Sequence, residues 1–396
     1  MDWSKFGVIN IVIVIIYIII ATGVFNSSNP EFVYDFNERV EFNEVIAGPN
    51  DSIVVAGTVN GATYEDGRDA FVGQIDSSGN LVWSQKFGGA GDDQFYSIAK
   101  TSDGVVVAGS NTKALDLSTD AYLVKVDFSG EILWERIFNN QFSSSFHDLQ
   151  VDDKGNLIMA GELEYLAEED QLNTNAYVVK TDSKGTRLWT EKFGATNFTA
   201  ARAIVGNSTS GFNIAGYTNN DRGQKSWLLK LNSDGEKVWA KDYFGTGTSS
   251  FYDLEQLKTG DFIAVGEANK QNNNGYIIKL DQRGAKIWDK VVEQGKKSYS
   301  SFQTVTELAG GQIIAGGVVS APIKFGNLNS ISYKDLIYAI QINQEGKKVS
   351  EYKFAKDRLG SLVGSAQIND NQFALVGNLS KHKINYRSYL TILEND

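Results

Sequence analysis

Apolar residues come along this chain in short runs that end at glycine, and the pattern recurs seven times. The runs are VVAG at Gly57, VVAG at Gly109, IMAG at Gly161, NIAG at Gly216, IAVG at Gly266, IIAG at Gly316 and ALVG at Gly377. After each of the first six comes a turn of the form Asp/Asn-x-x-Gly: Asp76/Gly79, Asp127/Gly130, Asp182/Gly185, Asn232/Gly235, Asp281/Gly284 and Asn343/Gly346. The second repeat shows the parts. QFYSIA from Gln94 reads as strand a, Val105 to Gly109 as strand b, AYLVKVD at 121–127 as strand c and EILWERIF at 131–138 as strand d. Alternation of apolar and polar positions in strands c and d predicts half-buried strands. The Asp or Asn that opens each turn reads as a residue that hydrogen-bonds the turn backbone, with glycine closing it.

A repeat of roughly 50 residues made only of strand and turn predicts an all-β, seven-bladed β-propeller over residues 31–396. Trp83, Trp134, Trp189, Trp239 and Trp288 share one position in strand d, where the sixth repeat has Ser350 with Tyr352 nearby. Burying about 200 Å² of each indole at about 25 cal/mol/Å² gives about 5 kcal/mol gross, an upper figure, and marks these residues as wedges between blades. The seventh repeat stops at strand c, while Phe32 and Phe36 near the other end keep the aromatic spacing of a strand d. The N-terminal strand is therefore expected to complete the last blade and close the ring.

Residues 6–25 are apolar and uncharged throughout. Such a run of roughly 20 residues makes a helix about 30 Å long, enough to cross a bilayer. Lys5 precedes it and Glu31, Asp35 and Glu38 follow, so the positive-inside rule places the N-terminus in the cytoplasm and the propeller outside, in periplasm or at the cell surface. Residues 1–30 are read as this single-pass anchor with a short linker, the alternative being a cleaved signal peptide. A net charge of −11 argues against nucleic acid, and the absence of cysteine rules out disulfides and thiolate chemistry.

The stretch WSQKFGGAGDDQFYSIAKTSDGVVVAG at Trp83–Gly109 resembles the repeat of secreted and envelope β-propeller proteins of bacteria and archaea. It is also distantly similar to the quinoprotein-type propellers. That likeness implies the fold; the polar ligand ring, metal and paired cysteines of the cofactor-binding members have no counterpart here, and no cofactor is expected.

Few residues invite chemistry. His147 and His382 are the two histidines, and each reads as an ordinary core or loop residue. Asp92 and Asp93 form a local acidic pair able to hold Ca²⁺, with a turn cap beside a solvated neighbour as the plainer reading. The b–c loops vary most, above all at Glu162–Asn175 and Val318–Asp335. The first brings Glu162, Glu164, Glu168, Glu169 and Asp170 around Tyr165. The second carries Ile323, Phe325, Leu328 and Tyr333, apolar groups suited to a protein partner. No catalytic motif appears. The sequence thus points to a non-catalytic scaffold, bound to other envelope or membrane proteins, with a glycan-binding or glycan-cleaving propeller as the alternative.

Overall fold

The computed structural model describes residues 31–394, apart from the stretches 35–38, 61–66, 90, 114–117, 168–170, 195–197, 221–222, 244–246, 270–272, 294–297, 325–330, 355–358 and 382–384. The expected membrane run at 6–25, Phe36, Glu168, Glu169, Asp170, Phe325, Leu328 and His382 all lie outside the described residues. Among those described, every regular element is a strand, and no helix is long and apolar enough to cross a membrane.

The strands form four-stranded antiparallel meanders, one to each repeat. Five are separate sheets; the third and fourth repeats share an eight-stranded sheet through one parallel pair, Thr174 with Phe198. The sheet of the seventh repeat takes its fourth strand from far upstream, where Glu31–Tyr34 pairs antiparallel with Ser388–Thr391. Strand a of each repeat touches strand a of the next, and those of the first and seventh repeats meet, so these strands make a closed inner ring.

The apolar core lies between repeats. One cluster joins Val54, Ala56, Val72 and Phe87 of the first repeat to Phe95, Val105, Val107 and Tyr122 of the second. Another joins Val45, Val55 and Phe71 to Val376 and Leu390 of the seventh. Packing on both faces explains why strand b is an unbroken apolar run. It also corrects the half-buried reading of strand c: in the second repeat Asp120 to Val126 are all buried, and Lys125 is accommodated by an ion pair to Asp103 at 2.6 Å.

The repeated glycines do two jobs. Each strand-b glycine faces an irregularity in strand a, where one extra residue bulges from the ladder. At Gly161 a Cβ would lie 1.9 Å from the Ser145 carbonyl, and Phe146 and Tyr177 stack over the position with centroids 5.6 Å apart. The same test moves the sixth repeat's glycine by one residue. Gly317, not Gly316, faces the bulge, with a Cβ 2.0 Å from the Ser301 carbonyl.

The turn glycines serve the tryptophans. Gly130 has φ +87°, and a Cβ there would meet Trp83 Cδ2 at 2.8 Å. Trp134, Trp189, Trp239 and Trp288 lie in the same way on Gly185, Gly235, Gly284 and Gly346 of the next repeat. These indoles are half-buried, so each contributes less than full burial implies. In the sixth repeat the Tyr352 hydroxyl donates to Gln341 at 2.8 Å, as the Trp83 indole donates to Gln74 at 2.7 Å. The turn carboxylates accept backbone N–H groups; Asp76 Oδ1 takes those of Ser78 and Asn80 at 2.9 and 2.8 Å.

Candidate active site

The bulges hand each repeat one side chain that need not join the sheet. They fall on Asn43, Tyr96, His147, Arg202, Tyr252, Gln303 and Val363. Because strand a lines the inner ring, bulge residues of successive repeats meet near its axis. The residue after each strand-b glycine stands beside the bulge and completes a pair. In repeats two to five the pairs are Tyr96 with Ser110, His147 with Glu162, Arg202 with Tyr217 and Tyr252 with Glu267. The other three repeats offer amides, threonine and valine, so the chemistry is gathered on one side of the ring.

His147 is the centre of the cluster. Its Nε2 lies 2.9 Å from Glu162 Oε1 and 3.2 Å from Ser145 Oγ, and Arg202 Nη1 lies 3.0 Å from Nε2 and 3.2 Å from Nδ1, nearly equidistant from the two ring nitrogens. With its hydrogen on Nε2 the ring donates to Glu162 and keeps the Nδ1 lone pair beside the guanidinium. Burial, then the Arg202 charge, lowers the imidazole below its ordinary value, against the pull of Glu162. The ring is therefore neutral at pH 7. Burial would raise Glu162, but the hydrogen bond from His147 and the charge of Arg202 hold it low.

Arg202 Nη2 also donates to the Tyr217 hydroxyl at 3.0 Å, and Tyr96 packs on the imidazole with centroids 5.1 Å apart. Side chains of His147, Glu162 and Arg202 are 10%, 24% and 25% exposed, so the cluster is held yet reachable. Arg202 Nε and Glu162 Oε2 are buried without a hydrogen-bond partner among the described residues. A neutral imidazole nitrogen beside a guanidinium is the equipment for attack on the central atom of an oxyanionic group.

Directly beyond the bulges lies a layer of carboxylates. Asp148 Oδ2 accepts the Ile204 N–H and Asp253 Oδ2 the Val305 N–H, each at 2.7 Å, clasping alternate strands of the inner ring. Burial, with the charge of Asp148 next, pushes Asp253 up to about 7. Burial with Asp253 next pushes Glu255 up to about 8, and burial with Asp253 and Asp148 raises Glu44 strongly.

The expected site residues fare differently. Glu162 enters the cluster. Glu164 and Tyr165 stand in a β-hairpin, because Leu157–Leu166 pairs with Leu172–Thr181 and most of the expected loop is sheet. The second expected loop is likewise a hairpin, with Ile313–Lys324 paired to Ile331–Ile342, and it carries Ile323 and Tyr333 in its strands. Asp92 and Asp93 diverge and do not form a joint cation site. Asp93 accepts from Gly89, Asn111 and Thr112 at 2.8–2.9 Å, whereas Asp92 pairs with Arg68 at 3.1 Å. His147, expected to be an ordinary core or loop residue, stands at the centre of the cluster, and Arg202, Tyr217 and Tyr252 carry no sequence expectation. The signal for them was a position that changes chemistry from repeat to repeat between fixed neighbours, right after the strand-a aromatic or the strand-b glycine.

A family model described as Arylsulfotransferase (ASST) matches residues 50–196, less than half of the chain. His147 and Glu162 lie inside that stretch. Among solved structures, a puromycin hydrolase mutant complexed with PGG is similar at 12% identity and TM-score 0.55, over 88% of this chain and 51% of that one. The β-propeller domain of the Trilobed protease from Pyrococcus furiosus matches over 90% of this chain and 95% of that one, at 9% identity and TM-score 0.49. A protein of unknown function from Dyadobacter fermentans matches over 91% and 95%, at 12% identity and TM-score 0.49. No curated protein matches the chain. The chain is all-β and propeller-like, and these likenesses single out no finer propeller group.

The arylsulfotransferase match overturns the expectation of a non-catalytic scaffold and with it the expectation that the chain is not an enzyme. No contiguous stretch of the sequence carries the site. This cluster is assembled from residues that lie on neighbouring repeats.

Proposed function

We propose that the chain is an enzyme that transfers a sulfuryl group from an aryl sulfate ester at the axis of its ring. The observation that carries the reading is the His147–Glu162–Arg202 cluster, set within and just beyond the arylsulfotransferase-like stretch. An oxyanion held by Arg202 brings its sulfur beside the Nδ1 nitrogen. Nδ1 bonds to sulfur as the S–O bond to the aryl oxygen breaks, and the electron pair leaves on that oxygen. Glu162 orients the ring and balances the charge that develops on it.

The test is release of nitrophenolate from para-nitrophenyl sulfate by the full-length protein. His147→Ala should lower it by about 1,000-fold or more, and Arg202→Lys, a charge without the planar fork, by about 100-fold. A wild-type protein that releases nothing, or a His147→Ala protein that matches it, sinks the reading. A second reading, a glycan-cleaving enzyme, is supported by the convergence of Arg202, Glu162, Glu267 and Tyr252 on one side of the axis. Parallel assay of aryl glycosides separates the two.

The ring is read as a seven-bladed propeller over residues 31–396, supported by the closed circle of strand-a contacts. Its place is read as the outer side of a cytoplasmic membrane, supported by the uncharged run at 6–25. Protease protection of the tagged protein in intact cells tests that placement.

A further inference from the structure

The sulfuryl-transfer step leaves one requirement unmet, and the next inner strand supplies a group that meets it. Once His147 carries the sulfuryl group, the acceptor hydroxyl must lose a proton as it attacks. Neither His147 nor Glu162 is placed to take it: the nitrogen is occupied, and Glu162 is engaged with His147 and Arg202.

Arg202 stands between two bulge residues, His147 on one side and Tyr252 on the other. The Tyr252 phenol stands beside Glu267 and Ser250, as His147 stands beside Glu162 in the equivalent pair, and Gln224 Nε2 donates to Ser250 Oγ at 2.5 Å. Tyr217, whose hydroxyl lies 3.0 Å from Arg202 Nη2, interacts with Tyr252 as well. The phenol thus has a carboxylate beside it, and its strand packs against that of Arg202, which would hold the group in transit. Both Tyr252 and Glu267 keep some exposure.

We propose that Tyr252 and Glu267 form the proton relay for the acceptor half of the reaction, a proposal that rests on the sulfuryl-transfer reading. The acceptor oxygen attacks sulfur, and its proton passes to the Tyr252 oxygen while the Tyr252 proton passes to the Glu267 carboxylate. The N–S bond breaks and its electron pair returns to His147. Glu267 ends the step protonated and gives the proton up to solvent. Burial, then the charge and hydrogen bond of Glu267, raises the phenol above its ordinary value, so Tyr252 hands a proton on without standing as a phenolate. Tyr252 is the catalytic residue, since it touches the acceptor; Glu267 is a positioning residue that acts through it. The repeat equivalents of this pair, His147 with Glu162 and Arg202 with Tyr217, do the holding and the attack, which divides the labour among three successive repeats.

The experiment uses the full chain, para-nitrophenyl sulfate as donor and phenol as acceptor. Tyr252→Phe and Glu267→Gln should keep the first burst of nitrophenolate within about threefold of wild type, because the donor half needs no relay for so good a leaving group. Steady-state transfer to phenol should fall by about 100-fold or more in each. With a fluorinated phenol that is already ionised at neutral pH, both variants should recover to near wild type. A residue with only a structural role would lower the burst and the two transfers alike. Full transfer to phenol in both variants, or loss that persists with the ionised acceptor, overturns the relay while leaving the sulfuryl-transfer reading intact. No burst from the wild-type protein overturns the sulfuryl-transfer reading itself, and the relay falls with it.

Discussion

Replacing Asp253 by asparagine should flatten the dependence of stability on pH. Asp253 lies in the carboxylate layer below His147 and Arg202, where burial, then the charge of Asp148, pushes it from an ordinary 3.8 up to about 7. Its amide donors from Val305 and Leu254 only partly offset this. Between those two values the native protein keeps a proton that the unfolded chain has lost. The stabilisation is therefore complete below the unfolded value and drains away as pH rises through the native one. A shift of roughly 3 units at 1.36 kcal/mol each makes the whole loss about 4 kcal/mol. About 3 kcal/mol of it falls between about pH 5 and about pH 8.

Asparagine cannot ionise, and it gives up one of the two amide acceptors at a cost of about 1 kcal/mol at any pH. Urea unfolding at the two pH values reads the difference. The variant should lose about 3 kcal/mol less than wild type on the way to the higher pH. Removing the charge also relieves Glu44 and Glu255, both raised in part by Asp253, so the flattening is at least this large. Equal losses in the two proteins would refute the account of a proton held in this layer.

Three further changes probe the frame. Gly161→Ala should cost about 3 kcal/mol, because its Cβ meets the Ser145 carbonyl at 1.9 Å, and chemical denaturation should show it. Trp288→Ala removes a half-buried indole and its hydrogen bond to the Gln344 carbonyl at 3.0 Å; about 2 kcal/mol should be lost in the same assay. Asp281→Ala leaves the Arg283 and Ala285 N–H groups of an exposed turn to water, so thermal unfolding should report a smaller loss than either of the other two changes.

Much of the frame was legible because it repeats. Glycine, tryptophan and the Asp turn recur in the chain for reasons that recur in space: a carbonyl too close for a Cβ, an indole lying on a turn, a carboxylate capping two amides. The sixth glycine was misplaced by one since Gly316 and Gly317 both follow an apolar run, and only the bulge opposite tells them apart. The site was hidden for the opposite reason. His147, Arg202 and Tyr252 recur in position but not in kind, and nothing local distinguishes a histidine after Phe146 from a core residue. Glu162 was found, though for its loop and not for the imidazole beneath it. Side chains 55 residues apart, such as His147 and Arg202, become neighbours only when one repeat is laid against the next.

The strand at Glu31–Tyr34 completes a sheet whose other strands come from the far end of the chain, and this dictates an order of events. In that sheet Glu31 pairs with Thr391, and beside it the first and seventh repeats join residues 336 and 348 positions apart, as Asn378 Nδ2 reaches the Phe42 carbonyl and Ser388 Oγ the Val40 carbonyl. Neighbouring repeats can collapse on each other as they leave the ribosome, but this seam must wait until the strand Asn385–Glu394 has emerged. Contacts so distant in sequence are slow to form, and until they do the last repeat presents a bare strand edge to any chain nearby. Ring closure is therefore the late and concentration-sensitive step of refolding, and dilution should raise the yield of closed monomer.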